Sequence, residues 1–325
     1  VGSDEARGTS VGDFSSLFES IVANVGRVLH GKEAAVRLAL ICLISEGHLL
    51  VEDVPGVGKT NLAKALARSV QLQWRRIQFT PDLLPSDVIG SSIYDRNSSS
   101  FSFRPGAVFS NILLGDEINR ASPKTQSALL EAMEERQVTV DATTYPLPSP
   151  FLVIATQNPV EHEGTYALPE SQIDRFLLRI HLGYPDRGSE ITMLERHGGP
   201  AADDLSAVAD ASELAMMMKV AATVYIAPPL RAYVVDLARA TRAHHGLTLG
   251  MSPRATIAMQ SAARTLAASC GRDYVVPDDI KALVPPVVAH RLVLSDEAQL
   301  DGLDVEQVLG DVLASVAVPS GRSRA

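Results

Sequence analysis

The segment HLLVEDVPGVGKTNLAKAL at 48–66 constrains this chain more than any other. It runs from an apolar strand through a tight Gly/Pro turn to Lys-Thr and then a helix. Backbone N–H groups of Gly56, Val57, Gly58, Lys59 and Thr60 can wrap a phosphate at the helix N-terminus. Lys59 can reach the outer phosphates, and the Thr60 hydroxyl can ligate Mg²⁺. The candidate nucleotide-binding stretch is therefore Asp53, Val54, Pro55, Gly56, Val57, Gly58, Lys59, Thr60 and Asn61. One position departs from G-x-x-x-x-G-K-[ST]. Asp53 stands where Gly is usual, so the turn is expected to need unusual backbone angles from a residue that tolerates them only moderately well.

Short apolar runs recur at 48–52, 75–79, 111–115, 151–156 and 177–182, separated by helix-like segments or loops. This alternation predicts a parallel sheet with helices on both faces. The run NILLGDEINRA delivers Asp116 and Glu117 at a strand's C-terminal end, the edge at which open parallel sheets bind ligands. Asp116 can hold an Mg²⁺ shell through water and Glu117 can polarise an attacking water. A third run, FLVIATQNP, ends in Asn158, whose amide could orient the same water. Arg175 precedes the last strand, and Arg254 opens a later helix. Gln78, ending the second strand, is a candidate to couple ligand state to Glu117, and Arg120 a candidate contact to a neighbouring subunit.

Asp13 is expected to cap a first helix ending near Gly31, and a second helix is expected over Lys32–Ser45. Beyond Tyr184-Pro185 the strands are expected to stop. The segment 188–204 reads as a connector, and nearly everything over 205–318 reads as helix, with caps at Ser252-Pro253 and Pro277-Asp278. The division is thus a tail at 1–12, a core at 13–187, a linker at 188–204, a helical domain at 205–318 and a frayed tail at 319–325. With 325 residues, two domains are expected. Lys and Arg number 29 against 38 Asp and Glu, a net charge of -9, which disfavours nucleic acid as a partner. No apolar run reaches the ~18 residues of a membrane span. The two cysteines, Cys42 and Cys270, belong to no CxxC pair and read as buried thiols in a cytoplasmic protein. His162 and the pair His244-His245 lack partners at metal spacing, and Met216-Met217-Met218 reads as core.

Together VEDVPGVGKT, FTPDLLPSD, FRPGAVFSNILLGDEINRA, ATQNPVEHEGTYALPESQIDRF and SPRA with GRDYVVPDDI make the chain resemble a MoxR-family AAA+ ATPase over nearly its whole length. The resemblance implies an α/β P-loop core, a parallel five-stranded sheet between helices, followed by an α-helical lid. It also implies ATP and Mg²⁺ as ligands, a ring that is expected to be a hexamer, and a chaperone-like action on protein clients. A separate protein with a von Willebrand factor A domain is the implied partner. Lys59 and Thr60 would bind ATP and Mg²⁺, Asp116 and Glu117 form the Walker B pair, and Asn158 act as first sensor. Arg175 would be the finger reaching a neighbour's nucleotide, and Arg254 the second sensor, facing its own subunit's. The stretch 90–108 resembles the family's insertion in the second helix, and 137–150 a β-hairpin before the first sensor that could touch substrates in a pore. In that hairpin Ala142 takes a turn position better suited to Gly. Two alternatives stay open: the ATPase subunit of a metal chelatase, and a nucleic-acid motor.

Overall fold

The computed structural model describes residues 10–96, 99–158, 165–195 and 202–319. His162, most of the N-terminal tail and the last six residues lie outside them. The described chain falls into two compact units. One spans 22–207; the other joins the chain up to Ile21 with everything from Val208 onward. The larger, N-terminal part of α1 (Val11–Gly26), up to Ile21, therefore belongs with the lid rather than the core. Its cap also differs from expectation. Ser10, not Asp13, occupies the N-cap, and Asp13 reciprocates by accepting from the Ser10 N–H at 3.0 Å while the Ser10 hydroxyl takes the Asp13 N–H at 3.2 Å.

In the core unit, α2 (Glu33–Ile44) leads into β1 (Leu49–Glu52), α3 (Lys59–Ser69) and β2 (Trp74–Gln78). There follow α4 (Pro85–Ile89), a hairpin of β3 (Gly90–Asp95) with β4 (Ser100–Pro105), β5 (Ile112–Asp116) and α5 (Pro123–Glu135). A second hairpin, β6 (Gln137–Val140) with β7 (Thr143–Pro146), precedes β8 (Leu152–Gln157), α6 (Glu170–Ile173), β9 (Leu178–Ile180) and α7 (Arg187–Glu195). The five core strands form one parallel sheet in the order β2-β5-β8-β1-β9. Leu49 to Val51, Ile112 to Leu114 and Leu152 to Ala155 are fully buried on both faces, which is why they read as continuous apolar runs without alternation.

The register decides where the chemistry sits. Glu52 pairs with Gln157, Gln78 with Asp116 and Gly115 with Ala155, so four strands end on one edge. The residues that follow them are Asp53, Glu117 and Asn158, with Gln78 beside them.

Both insertions are β-hairpins. They meet through Phe103 and Tyr145, whose rings stack with centroids 3.9 Å apart. Asp141 and Ala142 form a two-residue loop with φ of 49° and 62°, so Ala142 does occupy a left-handed position that Gly would suit better. Of the expected linker, the described residues 188–195 lie in α7 and 202–204 in a short turn, both within the core unit. After α7, a 3₁₀ turn at Ala202–Asp204 anchors on α3, where the Asp203 carboxylate pairs with Lys64 and, at 3.3 Å, with Arg68.

The lid unit contains α8 (Ala211–Thr223), α9 (Pro228–Ala243), α10 (Pro253–Ser269), α11 (Pro277–Val288), α12 (Asp296–Leu300) and α13 (Val305–Ser315). It is not wholly helical. The short strands β10 (Leu247–Leu249) and β11 (Val293–Leu294) pair antiparallel, too brief for a two-residue period to register in the sequence. Ser252 caps α10 as expected, its hydroxyl accepting from the Ala255 N–H. At α11 the working carboxylate is Asp279 rather than Asp278. It accepts from the Val276 N–H and takes a bidentate pair from Arg272 at 2.8 and 2.6 Å. Of the three methionines only Met217 is fully buried, and Met216 is exposed. Cys42 is buried as expected, but Cys270 is exposed because it closes α10 as its C-cap. Among the described residues no helix is long and apolar enough to cross a membrane.

Candidate active site

At the C-terminal edge of the sheet a cavity of about 330 Å³ is lined by Pro55, Gly56, Gly58, Lys59, Thr60 and Asn61 from the loop, and by Arg76, Gln78, Asp116 and Glu117 from the strand ends. The loop and the acidic pair, identified separately in the sequence, thus share one space. Gly56 has φ +86° and Gly58 φ +102°, left-handed angles that an L side chain adopts only under strain. A Cβ on Gly56 would meet nothing within 4 Å, so the backbone there is bare toward the cavity.

Asp53 behaves differently from expectation. Its φ is not positive, because the left-handed turns fall at the two glycines. Its side chain is turned away from the cavity and buried, with 8% exposure, and one carboxylate oxygen accepts both from the Leu182 N–H and, at 2.8 Å, from the Gly183 N–H. The carboxylate ties the loop's first residue to the chain leaving β9. Val54 and Val57 do not line the cavity.

Lys59 is 9% exposed, and its ammonium donates to the Asp53 carbonyl at 2.9 Å. A buried cation with three donors and one neutral acceptor is poorly compensated. An anion in the adjoining cavity would complete it. The hydroxyl of Thr60 and the carboxylate of Asp116 line the same space, the hard oxygen set that suits Mg²⁺. The residues present therefore fit a metal-bound nucleotide phosphate.

The acidic pair is held in a network. Thr156 on β8 donates from its hydroxyl to Asp116 Oδ1 at 2.6 Å and accepts from the Glu117 N–H at 2.9 Å. Arg76 donates to Asp116 Oδ2 at 2.5 Å and to the Gln78 side-chain oxygen at 3.1 Å. Gln78 in turn donates to Glu117 Oε2 at 2.7 Å, and Arg120 pairs with that same oxygen at 3.0 Å. Glu117 has φ 55°, a left-handed conformation for a non-glycine residue, and the neighbouring chain holds it there. Buried Gln126 on α5 contributes by donating to the carbonyls of Ile118, Ala121 and Tyr166.

Asn158 is buried, with 6% exposure, directly after β8. Arg175 lies elsewhere in the core unit. Its guanidinium donates to the Leu130 carbonyl at 2.7 Å and pairs with Glu134 at 3.0 Å, both on α5, and it is not among the residues lining the loop's cavity. It lines a second hollow of about 410 Å³ with Glu131, Glu134 and Glu135. Arg254 is exposed at the second position of α10 in the lid unit.

Sequence reasoning missed Arg76, Thr156 and Gln126. For the first two a signal existed. Side chains two apart on a strand share a face, so Arg76 accompanies Gln78 and Thr156 accompanies Asn158. Gln126 carried no such signal.

Residues 48–178 match the ATPase family associated with various cellular activities (AAA), and residues 239–312 match the AAA lid domain. The chain is 46% identical over 312 residues to Uncharacterized protein YeaC of Bacillus subtilis, covering 96% of this chain and 98% of the relative. It is 44% identical to Chaperone MoxR1 of Mycobacterium tuberculosis, over 93% of this chain and 82% of that one, and 30% identical to Protein MoxR of Paracoccus denitrificans, over 96% and 99%. A crystal structure from Cytophaga hutchinsonii, provisionally described as an ATPase, superposes with a TM-score of 0.89 at 38% identity, covering 95% of this chain and 97% of that one. The fold, the phosphate loop with its acidic pair and these relatives converge: the chain belongs to the MoxR family of AAA+ ATPases and hydrolyses ATP.

Proposed function

We propose that this ATPase is a Mg²⁺-dependent, ring-forming motor that remodels or matures protein clients. The observation that carries the reading is the single cavity in which Lys59, Thr60, Asp116 and Glu117 face one another. Backbone N–H groups from Gly56 to Thr60 and the Lys59 ammonium hold the phosphates, with Asn61 beside them. Thr60 and Asp116 would hold Mg²⁺, the latter through water, and the ion would supply charge neutralisation at the phosphates. Glu117 orients and polarises the attacking water, and Asn158 helps position it. Asp53, Val54, Pro55 and Val57 serve by shaping the loop.

Arg175 acts on the nucleotide of a neighbouring subunit, and Arg254 on that of its own. Arg175 is held on α5, apart from its own loop's cavity, which supports action in trans. A trans-acting arginine needs a neighbour, and AAA+ ATPases commonly form rings; we propose a hexamer. The name of the mycobacterial relative supports a chaperone-like role. A separate protein with a von Willebrand factor A domain is the partner implied by the family resemblance alone. For client contact the β3–β4 hairpin is better equipped than the 137–150 hairpin favoured by the sequence. It exposes Tyr94 at 50% and Phe101 at 73%, whereas β6–β7 exposes Thr139, Thr143 and Thr144 and keeps its one aromatic, Tyr145, half-buried.

The test mixes Arg175→Ala subunits with Lys59→Ala subunits, each nearly inactive alone. Hydrolysis should return at interfaces where an intact loop meets an intact arginine, and Arg254→Ala with Lys59→Ala should give no rescue. Subunit exchange without any recovered turnover would refute the trans assignment.

A further inference from the structure

Arg76 does something the proposed chemistry has no use for. It projects from the edge strand β2 onto Asp116, whose carboxylate is assigned above to the Mg²⁺ shell. The guanidinium lies 2.5 Å from Oδ2 and the Thr156 hydroxyl 2.6 Å from Oδ1, so both oxygens are already engaged. The Arg76 side chain is 47% exposed and that of Asp116 14%, which makes the arginine the partner able to leave. It also has somewhere to go. A hollow of about 560 Å³ lies between β2 and the β3–β4 hairpin, and among the described residues Arg76 is the one that lines both this hollow and the phosphate-side cavity.

We propose that Arg76 is a resident counter-cation for Asp116, which the Mg²⁺ accompanying a nucleotide must displace. With Thr156 on Oδ1, the guanidinium and a metal-bound water would compete for Asp116 Oδ2 and their charges repel each other, so occupancy by Arg76 and by the metal shell oppose one another. The pair keeps Asp116 compensated in the empty site and sets the Mg²⁺ concentration at which the site loads. Displacement also removes one of the bonds that hold the Gln78 amide, whose other end holds Glu117. Arg76 is thus a positioning residue that acts through Asp116 and does not itself bind phosphate. The inference rests on the assignment of Asp116 to the metal.

The test is equilibrium binding of a fluorescent ADP analogue to the full chain, titrated with Mg²⁺, so that turnover plays no part. Arg76→Gln should lower the half-saturating Mg²⁺ concentration by about fivefold, the upper end for a half-exposed ion pair. Its affinity for the analogue without Mg²⁺ should stay within about twofold of wild type, since only the metal step is relieved. Arg76→Lys keeps a cation with poorer geometry and should fall between the two, and it carries the test if Arg76→Gln does not fold. An unchanged or raised Mg²⁺ requirement in the variants overturns the proposal, as does loss of metal-free affinity, which would make Arg76 a phosphate ligand. Asp116→Asn separates the two levels. If it needs far more Mg²⁺ while Arg76→Gln matches wild type, only the displacement idea falls; if it titrates like wild type, the metal assignment fails and the proposal fails with it.

Discussion

Replacing Asp53 with Gly would restore the generic phosphate-loop pattern, and a reading from consensus alone expects that change to be neutral or favourable. The structure predicts the opposite. The Asp53 carboxylate is buried and accepts from two backbone N–H groups, those of Leu182 and Gly183. Hydrogen bonds to a charged group contribute about 1.5–3 kcal/mol each, and both donors would lose their acceptor. Gly adds about 0.5–1 kcal/mol of backbone entropy at a position that does not need a positive φ. After allowance for water reaching the exposed side of Gly183, the net loss should be about 3 kcal/mol, a large part of a typical stability. Asp53→Asn keeps one acceptor oxygen and should lose about half as much. Urea unfolding followed by core fluorescence should show the Asp53→Gly midpoint lowered by about 1 M, with Asp53→Asn between it and wild type. Nucleotide affinity should fall too, because the main-chain carbonyl at position 53, which positions Lys59, would no longer be held in place by the side-chain tie to Leu182 and Gly183. A variant as stable as wild type, or more so, would refute the tie between the loop and the end of β9.

Two further outcomes follow from His48, which the sequence did not single out, and from Ala142, which it did. His48 is buried; its Nδ1 accepts from the Val153 N–H and its Nε2 faces the Met133 carbonyl, and burial, aided by the nearby Arg136 charge, lowers its pKa from 6.5 to about 3. The unfolded chain therefore binds a proton that the folded chain refuses, so this contribution is complete above about pH 6.5 and is lost as pH falls toward 3, by up to ~1.4 kcal/mol per pH unit. Thermal melts of wild type and His48→Gln between pH 7 and pH 4 should converge on acidification, and parallel curves would contradict the assignment. Ala142→Gly should stabilise the β6–β7 hairpin by about 0.5–1 kcal/mol, since the left-handed angle at that turn strains a Cβ. Ala142→Val should do the reverse, with both changes read from the urea midpoint.

The parts legible in the sequence were those whose cause is local. Strands buried on both faces show as continuous apolar runs, and the loop's glycines sit next to the Lys-Thr pair they serve. Asp116 and Glu117 were visible because they close an apolar strand, which places them together at the C-terminal edge of the sheet. What escaped depends on pairing across distance. Arg76 meets Asp116 from 40 residues away, and the Asp53 carboxylate finds its donors at Leu182 and Gly183, past β9. The two-stranded lid sheet is a few residues long and leaves no period. Cys270 looked buried because the small residues before it are; one step later the helix ends and the side chain is exposed.

The most direct test of the account is Glu117→Gln, which keeps the shape of the side chain and removes the charge that activates water. Equilibrium binding of ATP and single-turnover phosphate release should be measured on the same preparation. The account predicts ATP affinity within a few-fold of wild type with phosphate release slowed by roughly 10²-fold or more, while Lys59→Ala loses binding itself. Normal phosphate release from Glu117→Gln would contradict the assignment of this cavity as the hydrolytic site.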